Sequence, residues 1–127
     1  MAANKSRPTE MVGRFTIDEI NKAHGEIFYT AVDTMYIFDV DTLQILDMNP
    51  SGLRLLGYTL EEIRTKDFFD IHAIEERARA QEIIDIYRRE GGIYQIRDLH
   101  LRRKDGTLIP VEKNGRSVEI NGKLLGH

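Results

Sequence analysis

The sequence predicts an α+β fold: a five-stranded antiparallel sheet, with helices inserted between its second and third strands and one further helix flanking it on the N-terminal side. Three observations predict it. Two short β-rich runs, MYIFDV (35–40) and LQILDM (43–48), are joined by a turn and lead directly into capped helical segments. A long helical pattern fills 74–90. After it the chain reads as strands only, with hairpin signals at Asp105-Gly106 and Asn121-Gly122.

The elements follow in order. Residues 1–15 are polar, contain Pro8 and Gly13, lack the apolar core of a signal peptide, and are expected to form a flexible arm. A flanking helix is expected over 16–30. Thr16 caps it, and Glu19, three residues on, completes a capping box. Ile17, Ile20, His24, Ile27 and Phe28 recur at helical spacing, a stripe that suits either packing on its own domain or a dimer seam. The body of the domain is expected over 31–127. Its first two strands form a hairpin through Asp39-Val40-Asp41-Thr42, a turn by composition.

The stretch NPSGLRLLGYTLEEI (49–63) reads as two short helices. Asn49 is a good N-cap and Pro50 suits the first helical position. Leu53, Leu55 and Leu56 give an apolar side, and Gly57 ends the helix. Thr59 and Glu62 form a second capping box. Residues 66–72 are irregular, with Phe68, Phe69 and Ile71 as core anchors. The longest helix, 74–90, places Ile74, Ala78, Ile83, Ile84 and Tyr87 along one side and stops at Gly91-Gly92. IYQIRDLHLRR, LIPVEKNGRSVEI and KLLGH are the last three strands, the final one expected to be cut short. Within the fourth strand the apolar phase changes from odd (Ile109, Val111) to even (Val118, Ile120), so a β-bulge is expected at Asn114-Gly115 rather than a turn.

A chain of 127 residues with 41% hydrophobic residues supports one domain with a real core. The net charge of −3 gives no general attraction to nucleic acid or anionic membranes. The chain has no cysteine, which excludes disulfides, thiolate nucleophiles, cysteine-based zinc sites and cysteine-attached chromophores. No apolar run approaches the ~20 residues of a membrane helix. No membrane contact by this segment and a cytoplasmic location are therefore expected.

These elements carry a resemblance. The strand pair ending in DMN, the run NPSGLRLLGYTLEEI and the hairpin RRKDGTLIPVE occur in the order and at the spacing of the PAS sensor family. The resemblance covers roughly residues 25–127. It implies a PAS-like fold whose concave sheet face and interposed helices enclose a cavity, with the joint at Gly57 folding helices across its mouth. It also implies a sensory, non-catalytic domain from a prokaryotic signal-transduction protein, which regulates an output domain such as a histidine kinase or a cyclic-dinucleotide enzyme. In the family a ligand or cofactor fills the cavity, or a partner docks on the sheet. The alternative function is a ligand-free dimerisation or protein-interaction module, with the helix at 16–30 or the outer sheet face as its homodimer contact.

The cofactor classes of the family can be set against this sequence. Covalent flavin photochemistry and a cysteine-linked chromophore both need the absent cysteine. Haem needs an axial ligand, and His72, just before the long helix, is the candidate. The cavity lining is expected from strand phase: Tyr36, Phe38, Ile45, Leu99, Leu101 and Val111 as apolar wall, with Arg97 and Lys113 pointing inward. Two inward charges call for partners. Asp47, in phase with Ile45, is one candidate, and an anionic small ligand held by Arg97 and Lys113 is another. Ser51, Asp70 and His72 supply the residue types of a hydrolytic triad, without a nucleophile elbow or Gly-rich loop around them.

Overall fold

The computed structural model describes residues 10–127. Two very short strands, β1 (Met11–Val12) and β2 (Phe15–Thr16), pair as a hairpin whose turn uses Gly13 at φ 57°. The end of the expected arm is therefore ordered into a turn, because glycine adopts this left-handed geometry without strain. Residues 1–9 of that arm lie outside the described residues.

Helix α1 (Ile17–Thr30) starts where Thr16 accepts from the Glu19 amide and Glu19 reaches back to the Thr16 amide. Its apolar stripe is only partly covered: no residue of α1 is buried, and Ile27 is 60% exposed. β3 (Tyr36–Asp39) and β4 (Ile45–Met48) form the expected hairpin. Asn49 then caps α2 (Pro50–Leu56), accepting from the Gly52 amide. Gly57 closes α2 in the left-handed conformation, φ 84°, and the second capping box, Thr59 with Glu62, opens α3 (Leu60–Ile63). Asn49 is fully buried. It also accepts from the Met35 amide and donates to the Asp33 carbonyl, so one side chain ties the start of α2 to the lead into β3.

The long helical pattern divides into a 3₁₀ turn (Ile74–Glu76) and α4 (Arg77–Glu90). At about 100° per residue Ala78 stands opposite the buried face of α4, and Ile74 lies outside α4, in the 3₁₀ turn. Ala80, Ile83, Ile84 and Tyr87 are buried, whereas Ile74 and Ala78, expected on that face, are exposed. Gly91 at φ 78° ends α4, and β5 (Gly92–Arg102), β6 (Leu108–Ile120) and β7 (Lys123–Gly126) follow. Gly106 turns β5 into β6, and Asn121-Gly122, both at positive φ, turn β6 into β7.

The five long-range strands form one antiparallel sheet in the order β4-β3-β7-β6-β5. The core lies between one face of this sheet and the helices α2 to α4. At its centre the Phe38 ring stacks obliquely on Phe68 at 5.0 Å and meets Tyr87 edge-on at 5.1 Å.

The bulge expected in β6 is in β5 instead. The register runs Ile93↔Gly115, Ile96↔Lys113, Leu99↔Val111, so β5 spends three residues where β6 spends two, twice over, with Gln95 at φ 51°. β6 itself keeps one phase throughout. Its even positions Val118 and Ile120 are apolar residues on the outer face, 41% and 51% exposed, not a shifted inner row.

Candidate functional site

The bulges in β5 decide where the charges go. The extra residue between Ile96 and Leu99 flips the phase, so Leu99 and Leu101 face the core while Arg97 points to solvent. There it pairs with Glu112 at 3.2 Å, its side chain 68% exposed. The inward Arg97 expected from strict alternation is thus corrected. Asp47 also takes other partners: Arg64 at 3.8 Å and the Tyr29 hydroxyl at 3.3 Å.

Lys113 does point inward. Because β6 is regular there, the residue stands in phase with Val111, and its side chain crosses the inner face. Its Nζ donates to the Tyr36 hydroxyl and lies 2.8 Å from His72 Nε2. It also sits 4.6 Å from the centre of the Phe68 ring and 4.9 Å from that of Tyr36. His72 is buried, and its Nδ1 is 2.5 Å from the Phe68 carbonyl oxygen. A carbonyl can only accept, so Nδ1 carries the proton. Nε2 is then the acceptor that Lys113 needs. The result is a closed set of three side chains from β3, β6 and the segment before the 3₁₀ turn.

All three ionisations are shifted by burial. Lys113 is pushed down to about 7, because the ammonium has lost its water. His72 is held well below its ordinary value, first by burial and then by the neighbouring Lys113 charge. Tyr36 is raised well above its ordinary value, again mainly by burial. The imidazole and the phenol are therefore neutral at pH 7, and among the described residues no carboxylate pairs with Lys113.

A cavity of about 1140 Å³ opens beside this cluster. Tyr36, Leu101, Val111 and Lys113 line it from the sheet, with His24, Ile27 and Phe28 of α1 and Leu55 of α2 around it. Of the residues expected as cavity wall, Tyr36, Leu101, Val111 and Lys113 are brought together here. Phe38, Ile45 and Leu99 are fully buried in the packed core. Sequence reasoning weighed His72 as a haem ligand and missed its contact with Lys113. The available signal was its apolar setting, FFDIHAI (68–74).

The triad residue types do not meet. Ser51 Oγ donates to the Ala31 carbonyl, fastening α2 to the end of α1 rather than capping its own helix. Asp70 accepts from the Asp67 amide. Among the described residues no three His, Cys, Asp or Glu gather as metal ligands, and no helix is long and apolar enough to cross a membrane.

Comparison with known proteins agrees with this architecture. The family profile of the PAS fold matches residues 45–126. A methyl sulfide methyltransferase-associated sensor of Methanosarcina acetivorans is 31% identical over 97 residues, covering 76% of this chain and 10% of the relative. A domain of a sensory box sensor histidine kinase/response regulator from Geobacter sulfurreducens superposes with a TM-score of 0.67 at 21% identity, covering 87% of this chain and 94% of that one. A PAS domain from Colwellia psychrerythraea superposes at 0.72 and 20% identity, covering 84% and 92%. The chain belongs to the PAS family, the sensor domains of signalling proteins. It spans about a tenth of the length of the curated relative it matches.

Proposed function

We propose that this PAS domain senses a small anionic molecule, of the size and charge of a short carboxylate, which enters the cavity and pairs with Lys113. The observation that carries the reading is the lysine itself. It lies in the wall of a cavity, both its side-chain partners are neutral, and no acid among the described residues compensates it. A buried ammonium without a counter-ion is costly, and an anion supplies the missing charge with a charge-assisted hydrogen bond. Arg97, on the outer face, has no part in this. The signal is a shift between two arrangements of sheet and flanking helices, read by an output domain such as a histidine kinase or a cyclic-dinucleotide enzyme. The likeness to a curated sensor supports the sensory reading.

The test is isothermal titration with acetate, propionate and butyrate, in buffers of differing ionisation heat. Saturable binding is expected. Lys113→Met should weaken it at least tenfold. Because binding holds the lysine charged, affinity should fall about tenfold per pH unit above 7. Binding unchanged in Lys113→Met, or absent for all three acids, sinks the proposal.

A second reading, a homodimer seam, rests on α1. It buries no residue, Ile27 near its C-terminal end and Val32 just past it stand 60% and 91% exposed, and Met11, Val12 and Phe15 before its N-terminal end are also exposed. The partner on this reading is a second copy. Sedimentation equilibrium of the domain and of Ile27→Glu decides it. A dimer lost in the variant supports the seam, and a monomer at all concentrations removes it.

A further inference from the structure

The three side chains that meet at Lys113 are also arranged for covalent chemistry. The lysine reaches the cluster between two aromatic rings, its Nζ 4.6 Å from the centre of Phe68 and 4.9 Å from that of Tyr36. Little water reaches the residue, which is 9% exposed. A lysine desolvated in an apolar pocket gives up its proton near neutrality, and the free amine is a nucleophile. Lys113, pushed down to about 7, is free amine in about half the molecules at pH 7. A lysine that titrates at the ordinary 10.5 is free amine in only about one molecule in three thousand.

The hydrogen bonds assign a role to each group. A neutral amine has two N–H donors and one lone pair. The donors go to the Tyr36 hydroxyl and to His72 Nε2, so the lone pair takes the remaining tetrahedral direction. The Tyr36 oxygen accepts from Lys113, and its own proton has no acceptor among the described residues. Both residues line the cavity, which puts a nucleophile and an unused O–H donor side by side in one wall. A carbonyl group needs this pairing, with the nucleophile for its carbon and the acid for its oxygen. Around it, Ile27, Phe28, Leu101 and Val111 offer apolar surface to the rest of such a molecule.

We propose that Lys113 captures an aliphatic aldehyde from the cavity as an imine, with Tyr36 as the acid on the aldehyde oxygen. The Nζ lone pair bonds to the carbonyl carbon, the C=O π pair moves to oxygen, and that oxygen takes the Tyr36 proton. Tyr36 recovers a proton from Nζ, which leaves a neutral carbinolamine. The C–O bond then breaks, the oxygen leaves as water with a second proton from Tyr36, and the nitrogen lone pair closes the C=N bond. The last N–H proton, held until then at His72 Nε2, replaces the one Tyr36 gave. In sum two N–H protons and one oxygen leave as water, and no oxidant or reductant is consumed. This goes beyond the ion pair proposed above, because it uses the amine rather than the ammonium and takes an uncharged molecule.

Reductive trapping tests it. The 127-residue chain is treated at pH 7 with limiting butyraldehyde and cyanoborohydride, and the N-butyl lysines are located by peptide mass mapping. Lys113 should be labelled at least tenfold faster than Lys22, Lys104 and Lys123, which stand exposed. In urea that lead should vanish. Tyr36→Phe keeps the ring and removes the acid. It should slow labelling at Lys113 at least tenfold and leave the three exposed lysines as they were. Lys113 labelled no faster than the exposed lysines in the folded chain overturns the proposal. So does a lead that survives in urea, or one unchanged in Tyr36→Phe. Butyraldehyde carries no charge, so the outcome is independent of the carboxylate titrations: either result can fail while the other stands.

Discussion

Lys113→Met should change how stability depends on pH. An ordinary lysine titrates near 10.5, and Lys113 is pushed down to about 7. Between these values the unfolded chain still binds the proton that the folded chain has released, so stability rises with pH across the window from about 7 to 10.5. Below 7 both states carry the charge and the cost of burying it is fully present. At full slope one pH unit is worth about 1.4 kcal/mol. Since half the proton is still bound at pH 7, the gain between pH 7 and 9 is about 2 kcal/mol. Methionine keeps the length of the stem between the Phe68 and Tyr36 rings and removes the charge. It also leaves His72 Nε2 and the Tyr36 hydroxyl without their donor, at about 1–3 kcal/mol. Against this stands about 4 kcal/mol of ammonium desolvation relieved at pH 7. The variant should therefore be the more stable protein at pH 7 and lose that advantage by pH 9. Urea titrations of both proteins at pH 7, 8 and 9 measure this. Stability curves that stay parallel across that range would refute the argument, because they would mean that Lys113 titrates like a solvated lysine.

Three other substitutions probe the frame around the site. Gly126→Ala should cost about 2–3 kcal/mol by thermal melting, since its Cβ would enter the Phe38 ring, which Phe68 and Tyr87 hold in place. Asn49→Ala removes a helix cap and two further hydrogen bonds at a fully buried position. A loss of about 2–3 kcal/mol in urea titration is expected. Arg97→Gln breaks only an exposed pair with Glu112. It should change stability by less than about 0.5 kcal/mol and leave carboxylate titrations as they are in the unsubstituted chain.

Most of the fold was legible because it is written in local chemistry. Thr16 with Glu19, Thr59 with Glu62, Gly57, Gly91 and Asn121-Gly122 each act within a few residues, and each stands where its conformational preference is used. The failures share a different cause. Alternation from Leu99 back to Arg97 gives the wrong face because one extra residue in β5, between Ile96 and Leu99, resets the phase, and nothing local to Arg97 marks it. The change from Val111 to Val118 imitates a bulge, although it records two apolar residues on an outer face. The polar cluster was half legible. Strand phase places Lys113 inward correctly, but its partners lie 77 and 41 positions away in sequence, at Tyr36 and His72. Only the closed sheet and the returning segment at 66–72 bring them together.

The cluster also bounds what a ligand could achieve. A ligand shifts a two-state equilibrium only by the difference between its affinities for the two states. On the proposed reading that difference comes from the cost of an uncompensated Lys113, about 4 kcal/mol at pH 7, which an anion removes where the lysine is enclosed. Where the lysine is solvated there is little to remove. At about 1.4 kcal/mol per factor of ten, the largest shift this one charge can drive is roughly a thousandfold. That takes a state populated at about one per cent to about ninety per cent, short of the roughly ten-thousandfold that a full inversion requires. The same arithmetic explains why neutral partners suit the site. An internal carboxylate beside Lys113 would already supply the compensation, and an incoming anion would have nothing left to change.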